Sequence, residues 1–312
     1  MFNQSQKPRI VFMGTPEFAV ASLNALIEAE CNVVGVITTP DKPAGRGYQL
    51  QESAVKKFAV EKGLPILQPV KLKDSEFIEK LDAWKADLQI VVAFRMLPEI
   101  VWNRPRLGTI NLHGSLLPQY RGAAPINWAL INGEKTTGVT TFLLKQEIDT
   151  GDILLSRSVP IEPSDDFGTL YNKLQEIGAT LLVETVQQYT NGQLVSTPQP
   201  IEPSLVKHAP KISKETGIIH WDQPAQTILN LIRGLSPYPG ATTTLQGKQL
   251  KIFAATTIPG TPQIAVGNFD TDEKKYLRFA CQDGWLSVEE IQLEGKKRMP
   301  VATFLAGYRF NK

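Results

Sequence analysis

Cysteine is scarce in this chain: Cys31 and Cys281 are the two among 312 residues. They lie far apart, in apolar settings, which excludes a disulfide scaffold and fits reduced thiols. Histidine is almost as rare, and His113, His208 and His220 lack the close spacing of a ligand set, so no metal is expected. No run approaches the ~20 apolar residues of a membrane span, and the opening MFNQSQKPRI carries no apolar signal core, so a cytoplasmic protein off the membrane is expected. Charge of one sign is missing too. Lys and Arg number 33 against 31 Asp and Glu, a net charge of +2, so any polyanion site must come from local clustering. A G-x-G-x-x-G fingerprint is absent, Gly14 standing alone where three glycines are needed, and a nicotinamide dinucleotide is not expected.

What is present is an alternation of apolar strands and amphipathic helices. Residues 9–14, RIVFMG, read as a buried strand, Thr15 as a helix N-cap and Pro16 as the first helical residue. Ala19, Leu23, Leu26 and Ile27 keep helical spacing, and 32–39 form a second strand, which completes a βαβ unit. Residues 40–50, PDKPAGRGYQL, hold two prolines and two glycines that bar regular structure, giving either a surface connection or a basic finger. Helices at 53–62, 74–86 and 99–103 then alternate with strands at 65–68 and 88–94, and a central strand begins at Gly108. After it come a helix at 122–132, strands at 138–144 and 153–161, and a long helix at 165–191 with a stripe of Leu170, Leu174, Ile177, Leu181 and Val186. Strong apolar strands separated by helices predict an α/β fold, a Rossmann-like mainly parallel sheet with helices on both faces.

Composition changes at 193–210, a Pro- and Ser-rich stretch read as a linker between a domain at 1–192 and another at 211–312. Beyond it short strands predominate: 217–221, 242–246, 248–257, 263–268, 276–281 and 285–292, with one helix near 223–234. Turn signals at Gln246-Gly247 and Asp283-Gly284 complete the pattern of a small barrel of the oligonucleotide-binding (OB-like) type. Lys207, Lys211 and Lys214 at its entrance and Lys296, Lys297 and Arg298 near its end cluster positive charge, either as a solvated face or as a polyanion track.

The central strand carries the chemistry. In GTINLHGSLLPQYRG (108–122), Asn111 and His113 are two apart and leave one face of a strand at its carboxyl end, where α/β sheets bind ligands. A lone Asn-x-His at a strand end is more often a hydrogen-bonded turn, but Ser115-Leu116-Leu117-Pro118 puts two large apolar side chains into the following loop. Such a loop either packs on its own core or lines an apolar pocket. Asp149, beside Gly151 in the polar loop KQEIDTGD, reads by spacing alone as a turn former.

These segments resemble the folate-dependent formyltransferases. The matching pieces are FMGTPEFA (12–19), TPDKPAGRG (39–47), NLHGSLLPQYRGAAPI (111–126), IDTGDIL (148–154) and SKETGIIHW (213–221), so the likeness runs along essentially the whole chain. The PDKPAGRG loop and the C-terminal barrel point to the branch that formylates methionyl-initiator tRNA for translation initiation. Two places depart from the pattern: Phe94–Pro98 is one residue shorter than the usual loop, and the basic loop ends in Tyr48-Gln49 rather than further lysines. The resemblance implies 10-formyltetrahydrofolate as formyl donor, no metal, and a monomer. It implies Asn111 and His113 as donors to the formyl oxygen and Asp149 as proton carrier. By the same likeness Ser115, Leu116, Leu117, Pro118, Arg95, Met96 and Leu97 wall the folate pocket, and Lys42, Arg46, Lys207 and Lys211 contact tRNA. A sugar-nucleotide formyltransferase acting on an amino sugar is the alternative with the same catalytic trio.

Overall fold

A computed structural model describes residues 7–44, 49–199, 202 and 206–310. These form two compact units. The first comprises the chain up to Arg121 together with Gly138–Val159 and Tyr171–His208, and the second gathers Gly122–Thr137, Pro160–Leu170 and the chain from Ala209 onward. The units therefore interleave along the chain.

The first unit is organised by a seven-stranded sheet. Its strands in chain order are β1 (Arg9–Gly14), β2 (Asn32–Ile37), β3 (Ile66–Leu67), β4 (Leu88–Val92), β5 (Thr109–His113), β6 (Thr136–Leu143) and β7 (Ile153–Pro160). Their spatial order is β7-β6-β5-β4-β1-β2-β3. The 3-2-1-4-5 run is that of a doubly wound sheet, and β1 pairs parallel to both β2 and β4, as β4 does to β5. Beyond β5 the direction changes, since β6 runs antiparallel to it. Every residue of β4 is buried, as are Ile10 through Gly14 of β1. Strands buried at successive positions must be covered on both faces, which explains their almost wholly apolar sequence; the exception, Gln89 of β4, accepts from the Thr109 hydroxyl.

Helices α1 (Glu17–Glu28), α2 (Ala54–Glu61), α3 (Ser75–Ala83) and α4 (Glu99–Trp102) follow the early strands. The N-cap of α1 is Pro16 rather than Thr15; Pro16 has no side-chain acceptor, and the Phe18 N–H of the first turn donates to the Tyr171 hydroxyl at 2.8 Å instead. Ser53 does cap α2, accepting from the Lys56 N–H at 3.0 Å. Met13, Ile37, Phe77, Leu81, Val91 and Val101 build one core under this half of the sheet. Behind β5 runs the long helix α6 (Phe167–Thr190), whose Leu170, Leu174, Leu181 and Val186 are buried as the stripe predicts. It approaches closely enough that a Cβ on Gly178 would sit 3.0 Å from Leu112 Cδ2, so a glycine is what lets the helix lie against the central strand.

The loop expected at 40–50 contains more order than two prolines and two glycines suggested. Lys42–Ala44 pair antiparallel with Gln49–Gln51. Its base is fixed by Asp41, which accepts from Gln68 Nε2 at 2.8 Å and from the Lys56 ammonium. The Lys56 bond holds the Asp41 carboxyl below its ordinary range, and Gln68 adds to the same effect. Arg46, expected to contact tRNA, falls outside the described residues; Lys42 is exposed.

The second unit holds an antiparallel sheet curled into a half-barrel. Its strands are β8 (Ala241–Leu245), β9 (Lys248–Pro259), β10 (Phe269–Thr271), β11 (Leu277–Ala280), β12 (Gly284–Leu293) and β13 (Met299–Pro300), in the order β8-β9-β12-β11-β10 with β13 beside β12. Gln246 and Gly247 have φ of 48° and 80°, the two positive values a tight two-residue hairpin between β8 and β9 requires. Register shifts near Ile252 and Ala254 bend the long β9. Two strands expected from sequence are absent. Residues 215–217 form a 3-10 turn with a single bridge at Ile218, and 263–268 are irregular, the strand starting at Phe269. Both stretches are short and interrupted by Gly or Pro, so local β preference was outweighed by the path of the chain. Helix α5 (Pro125–Ile131), with Pro125 in its first turn, packs on α7 (Ala225–Leu235), and Asn127 Nδ2 donates to the Gly234 carbonyl at 2.8 Å. Trp221 stacks on Phe279 at 4.4 Å in the half-barrel core. No helix among the described residues is long and apolar enough to cross a membrane.

Candidate active site

Strand β5 delivers two of the three expected groups. Asn111 is half-buried, opposite Val91 on one side and Phe142 on the other, and its carboxamide has no hydrogen-bond partner among the described residues. Donors left free at a strand's carboxyl end are available to a bound molecule. His113 is 6% exposed and pairs in register with Thr140 of β6. Its Nε2 lies 2.9 Å from the Tyr120 carbonyl oxygen. A carbonyl can only accept, so that nitrogen carries hydrogen. Nδ1 faces Asp149 Oδ2 at 3.7 Å, too far for a direct hydrogen bond but within ion-pair reach when the ring is charged. The edge of Phe142 closes the remaining side, 6.5 Å away and nearly perpendicular.

The loop after β5 is held from β6. Thr140 Oγ1 donates to the Ser115 carbonyl at 2.7 Å and accepts from the Leu117 N–H at 3.1 Å. Ser115 Oγ is spent on the Gln119 carbonyl at 2.6 Å, Leu117 is buried, and Leu116 packs on Gly138. These contacts pack and hydrogen-bond the loop onto the molecule's own core. Pro118 is half-buried beside them.

The loop after β4 differs. Met96 is 73% exposed, whereas Leu97 packs against the core under β4. The Arg95 guanidinium donates to the Val70 carbonyl at 3.0 Å and to that of Pro69, and lies over the Phe94 ring. Its Nε is buried without a partner among the described residues, and burial pushes the guanidinium pKa down.

Asp149 comes from the turn between β6 and β7, which brings it to His113 although 35 residues of chain separate them in the sequence. It is 8% exposed, with φ of 55° in the left-handed region that a non-glycine residue rarely takes. Two residues on, a Cβ at Gly151 would fall 1.6 Å from the Leu143 carbonyl oxygen, so the turn folds directly onto the β6 backbone. Ile148 beside it is 57% exposed. A carboxamide, an imidazole and a carboxylate therefore meet at the carboxyl end of β5: donors for a developing oxyanion and an acceptor for a proton.

Among the remaining expected residues, Lys207 joins this neighbourhood. Its N–H donates to Gln119 Oε1, its carbonyl accepts from the Tyr120 N–H, and its ammonium lies over the Tyr120 ring. Lys211 is exposed in the other unit. Tyr120, Thr140, Arg121 and Gln199 were not singled out by sequence. Nothing in their spacing marks them, since each acts through a hydrogen bond to a residue brought near only by folding.

Comparison with known proteins follows the same lines. A family model described as formyl transferase matches residues 8–186, and a second, described as formyl transferase, C-terminal domain, matches residues 211–309. The chain belongs to the formyl transferase family. It is 55% identical over 310 residues to a protein of Parabacteroides distasonis named methionyl-tRNA formyltransferase, covering 96% of both. A protein of Flavobacterium johnsoniae with the same name is 47% identical over 310 residues, covering 98% of both. Among solved structures, the sugar 3N-formyl transferase WlaRD superposes with a TM-score of 0.67 at 19% identity over 94% of this chain and all of that one. HypX from Aquifex aeolicus gives 0.65 at 20% identity over 98% of this chain and 49% of its own. At such identities these two establish the fold.

Proposed function

We infer that this protein transfers the formyl group of 10-formyltetrahydrofolate to the free amino group of methionyl-initiator tRNA in the cytoplasm. The observation that carries this reading is near-complete alignment, at 47–55% identity, with relatives named for that reaction. The convergence of Asn111, His113 and Asp149 in one unit supports it.

Each side chain has a task that its position suits. When the amine attacks the formyl carbon, negative charge builds on the carbonyl oxygen. The free Asn111 carboxamide and, since the His113 Nε2–H is engaged by the Tyr120 carbonyl, the Nδ1–H of a charged His113 ring are the donors for it, fixed in place before reaction begins, which is what makes such donors effective. The attacking nitrogen must then lose a proton while the folate nitrogen gains one before leaving. Asp149, directly or through a water, takes up that proton and passes it on, and in its ionised form it faces His113 with a negative charge. No side chain needs to act as a nucleophile. Burial pushes the Cys281 thiol up to about 11, which keeps it in its unreactive form.

The donor's pocket is assigned to the loops at the carboxyl ends of β4 and β5 together with the turn at 145–149 between β6 and β7. Exposed Met96 and Ile148 offer apolar surface for a pterin, with Arg95 and Leu97 completing the loop after β4. Ser115, Leu116, Leu117 and Pro118 serve as the shaped wall, through backbone rather than through the Ser115 hydroxyl. Lys42, Arg46, Lys207 and Lys211 are assigned to tRNA phosphates, and the domain at 211–312 to tRNA binding, with 193–210 as the connection from the catalytic domain at 1–192.

The deciding assay supplies labelled 10-formyltetrahydrofolate and compares methionyl-initiator tRNA with an amino-sugar nucleotide as acceptor. Label on the tRNA alone is expected; label on the sugar alone overturns the reading. Arg46→Ala is expected to raise KM for the tRNA while leaving that for the folate unchanged, and equal losses in both would remove Arg46 from the tRNA contact.

A further inference from the structure

The His113–Asp149 pair is tied together a second time, by a route that does not involve their own side-chain contact. His113 Nε2 donates to the Tyr120 carbonyl. The next residue, Arg121, sends its guanidinium to Gln199, Nη2 at 2.6 Å and Nε at 3.2 Å from Oε1. Gln199 Nε2 in turn donates to the Asp149 carbonyl at 2.9 Å and to the Gly151 carbonyl at 2.7 Å. The circuit then closes through the Asp149 carboxylate facing His113 Nδ1.

The chemistry of this clamp is specific. A guanidinium only donates and a carbonyl only accepts, so the orientation of the Gln199 amide is unambiguous. Both amide hydrogens and the oxygen are engaged, and the side chain is 4% exposed in a Pro-rich stretch where polar residues ordinarily face water. Glutamate could keep the Arg121 contact but would set an anionic acceptor against two carbonyls. Methionine would fill the space and make neither bond. The clamp grips a turn that holds Asp149 in left-handed backbone, a conformation that persists only where the surroundings over-determine it.

We propose that Gln199, braced by Arg121, is a positioning residue: it holds the Asp149 turn against β6 so that the carboxylate faces His113. This rests on the formyl-transfer reading and adds to it the group that sets the geometry of the proton carrier.

The test uses the full chain with Gln199→Met, Gln199→Glu and Arg121→Lys. A misplaced catalytic group is expected to lower kcat for formyl transfer by about 10- to 100-fold in the Met and Glu variants. KM for the folate donor should stay within about threefold, because binding and proton transfer are separate tasks. Arg121→Lys keeps one donor and should lose less. In an Asp149→Asn background Gln199→Met is expected to change kcat by less than about twofold, since there is no longer a proton carrier to position. Losses that multiply in that background, or unchanged kcat in both single variants, overturn the proposal.

Hydrogen exchange of the 147–152 amides supplies a readout independent of substrate. It should quicken in Gln199→Met while exchange in β4 and β5 is unchanged. Unchanged exchange at 147–152 overturns the clamp, and quickening throughout both strands reduces Gln199 to a general stabiliser and equally overturns it. If the unmodified protein fails to formylate methionyl-initiator tRNA, the functional reading falls, while the exchange experiment still judges the clamp.

Discussion

His113 and Asp149 reach the same point by opposite means. His113 stands on a strand paired on both sides, with Val91 opposite Asn111 on β4 and Thr140 opposite His113 itself on β6. Its direction follows from the register, and backbone hydrogen bonds along two ladders resist any slip, since moving by one residue would turn the side chain to the other face. Asp149 stands on a turn with no ladder. Its place depends on left-handed backbone, on the absence of a side chain at Gly151, and on one buried amide from a distant part of the chain. Regular structure positions a residue through many small contacts, whereas a turn concentrates the same task in two or three.

The contrast can be broken first on the strand side. His113→Ala or Asn111→Ala should lower kcat by about 10²- to 10³-fold, the usual loss for one oxyanion donor, with thermal unfolding little changed for the half-buried Asn111 and lowered for His113, whose bond to the Tyr120 carbonyl is lost. Single-turnover transfer with saturating donor measures it, and a loss below tenfold in both variants would remove them from the reacting centre.

On the turn side, Gly151→Ala should be the most disruptive conservative change available. The added methyl cannot coexist with the Leu143 carbonyl, so the turn must leave β6 and carry Asp149 with it. A destabilisation of about 1–3 kcal/mol, the usual cost of forcing extra bulk into a packed place, is expected in denaturant unfolding. Activity should fall even where the fold survives.

Thr140→Val tests the support of the other loop. Valine keeps the shape but leaves the Ser115 carbonyl and the Leu117 N–H without their partner, at a cost of about 1–3 kcal/mol when such groups stay buried. Because β5 itself is untouched, kcat should fall less than with Gly151→Ala, and a larger fall would show that the 115–118 loop, not the 149 turn, is the more sensitive support.

The smallest effect is expected far from the site, at a turn of the half-barrel that is likewise held by one side chain. Backbone N–H groups of Lys275, Tyr276 and Lys274 bond the Asp272 carboxylate and lower its pKa to about 2 from 3.8. A depressed carboxyl stabilises the fold at pH above its unfolded value and loses that contribution as pH falls through the folded one. Asp272→Ala should therefore lower the melting temperature slightly at neutral pH, with the difference shrinking as pH falls below 3.8 and vanishing below about 2. An undiminished difference in acid would contradict the bonding of this turn.

How much could be read from sequence follows the same division. The apolar runs 9–14 and 88–94, the Asn111–His113 spacing and the stripe of α6 each state a period, and a period is a local property. Strand β2 ends two residues earlier than its apolar run, and 263–268 has β preference yet no strand, because pairing partners rather than propensity end a strand. In the loops, Ser115, Leu116 and Leu117 left two readings open that composition could not separate. The bonds that hold this loop come partly from Thr140 of β6, a residue distant in the sequence. Helix α5, next to β5 in sequence, packs with α7 in the other unit, which no pattern within its seven residues announces.

By itself the sequence determined the alternation of strands and helices, the face from which Asn111 and His113 project, and the family to which the chain belongs, because all three are written in short-range periodicity and contiguous motifs. Only the tertiary structure decided that Asp149 meets His113, that Thr140 holds the loop after β5, and that Gln199 grips the turn beside it. Those bonds join residues far apart along the chain, and a hydrogen bond depends on ångströms in space, which the order of residues does not express until the sheet has brought them together.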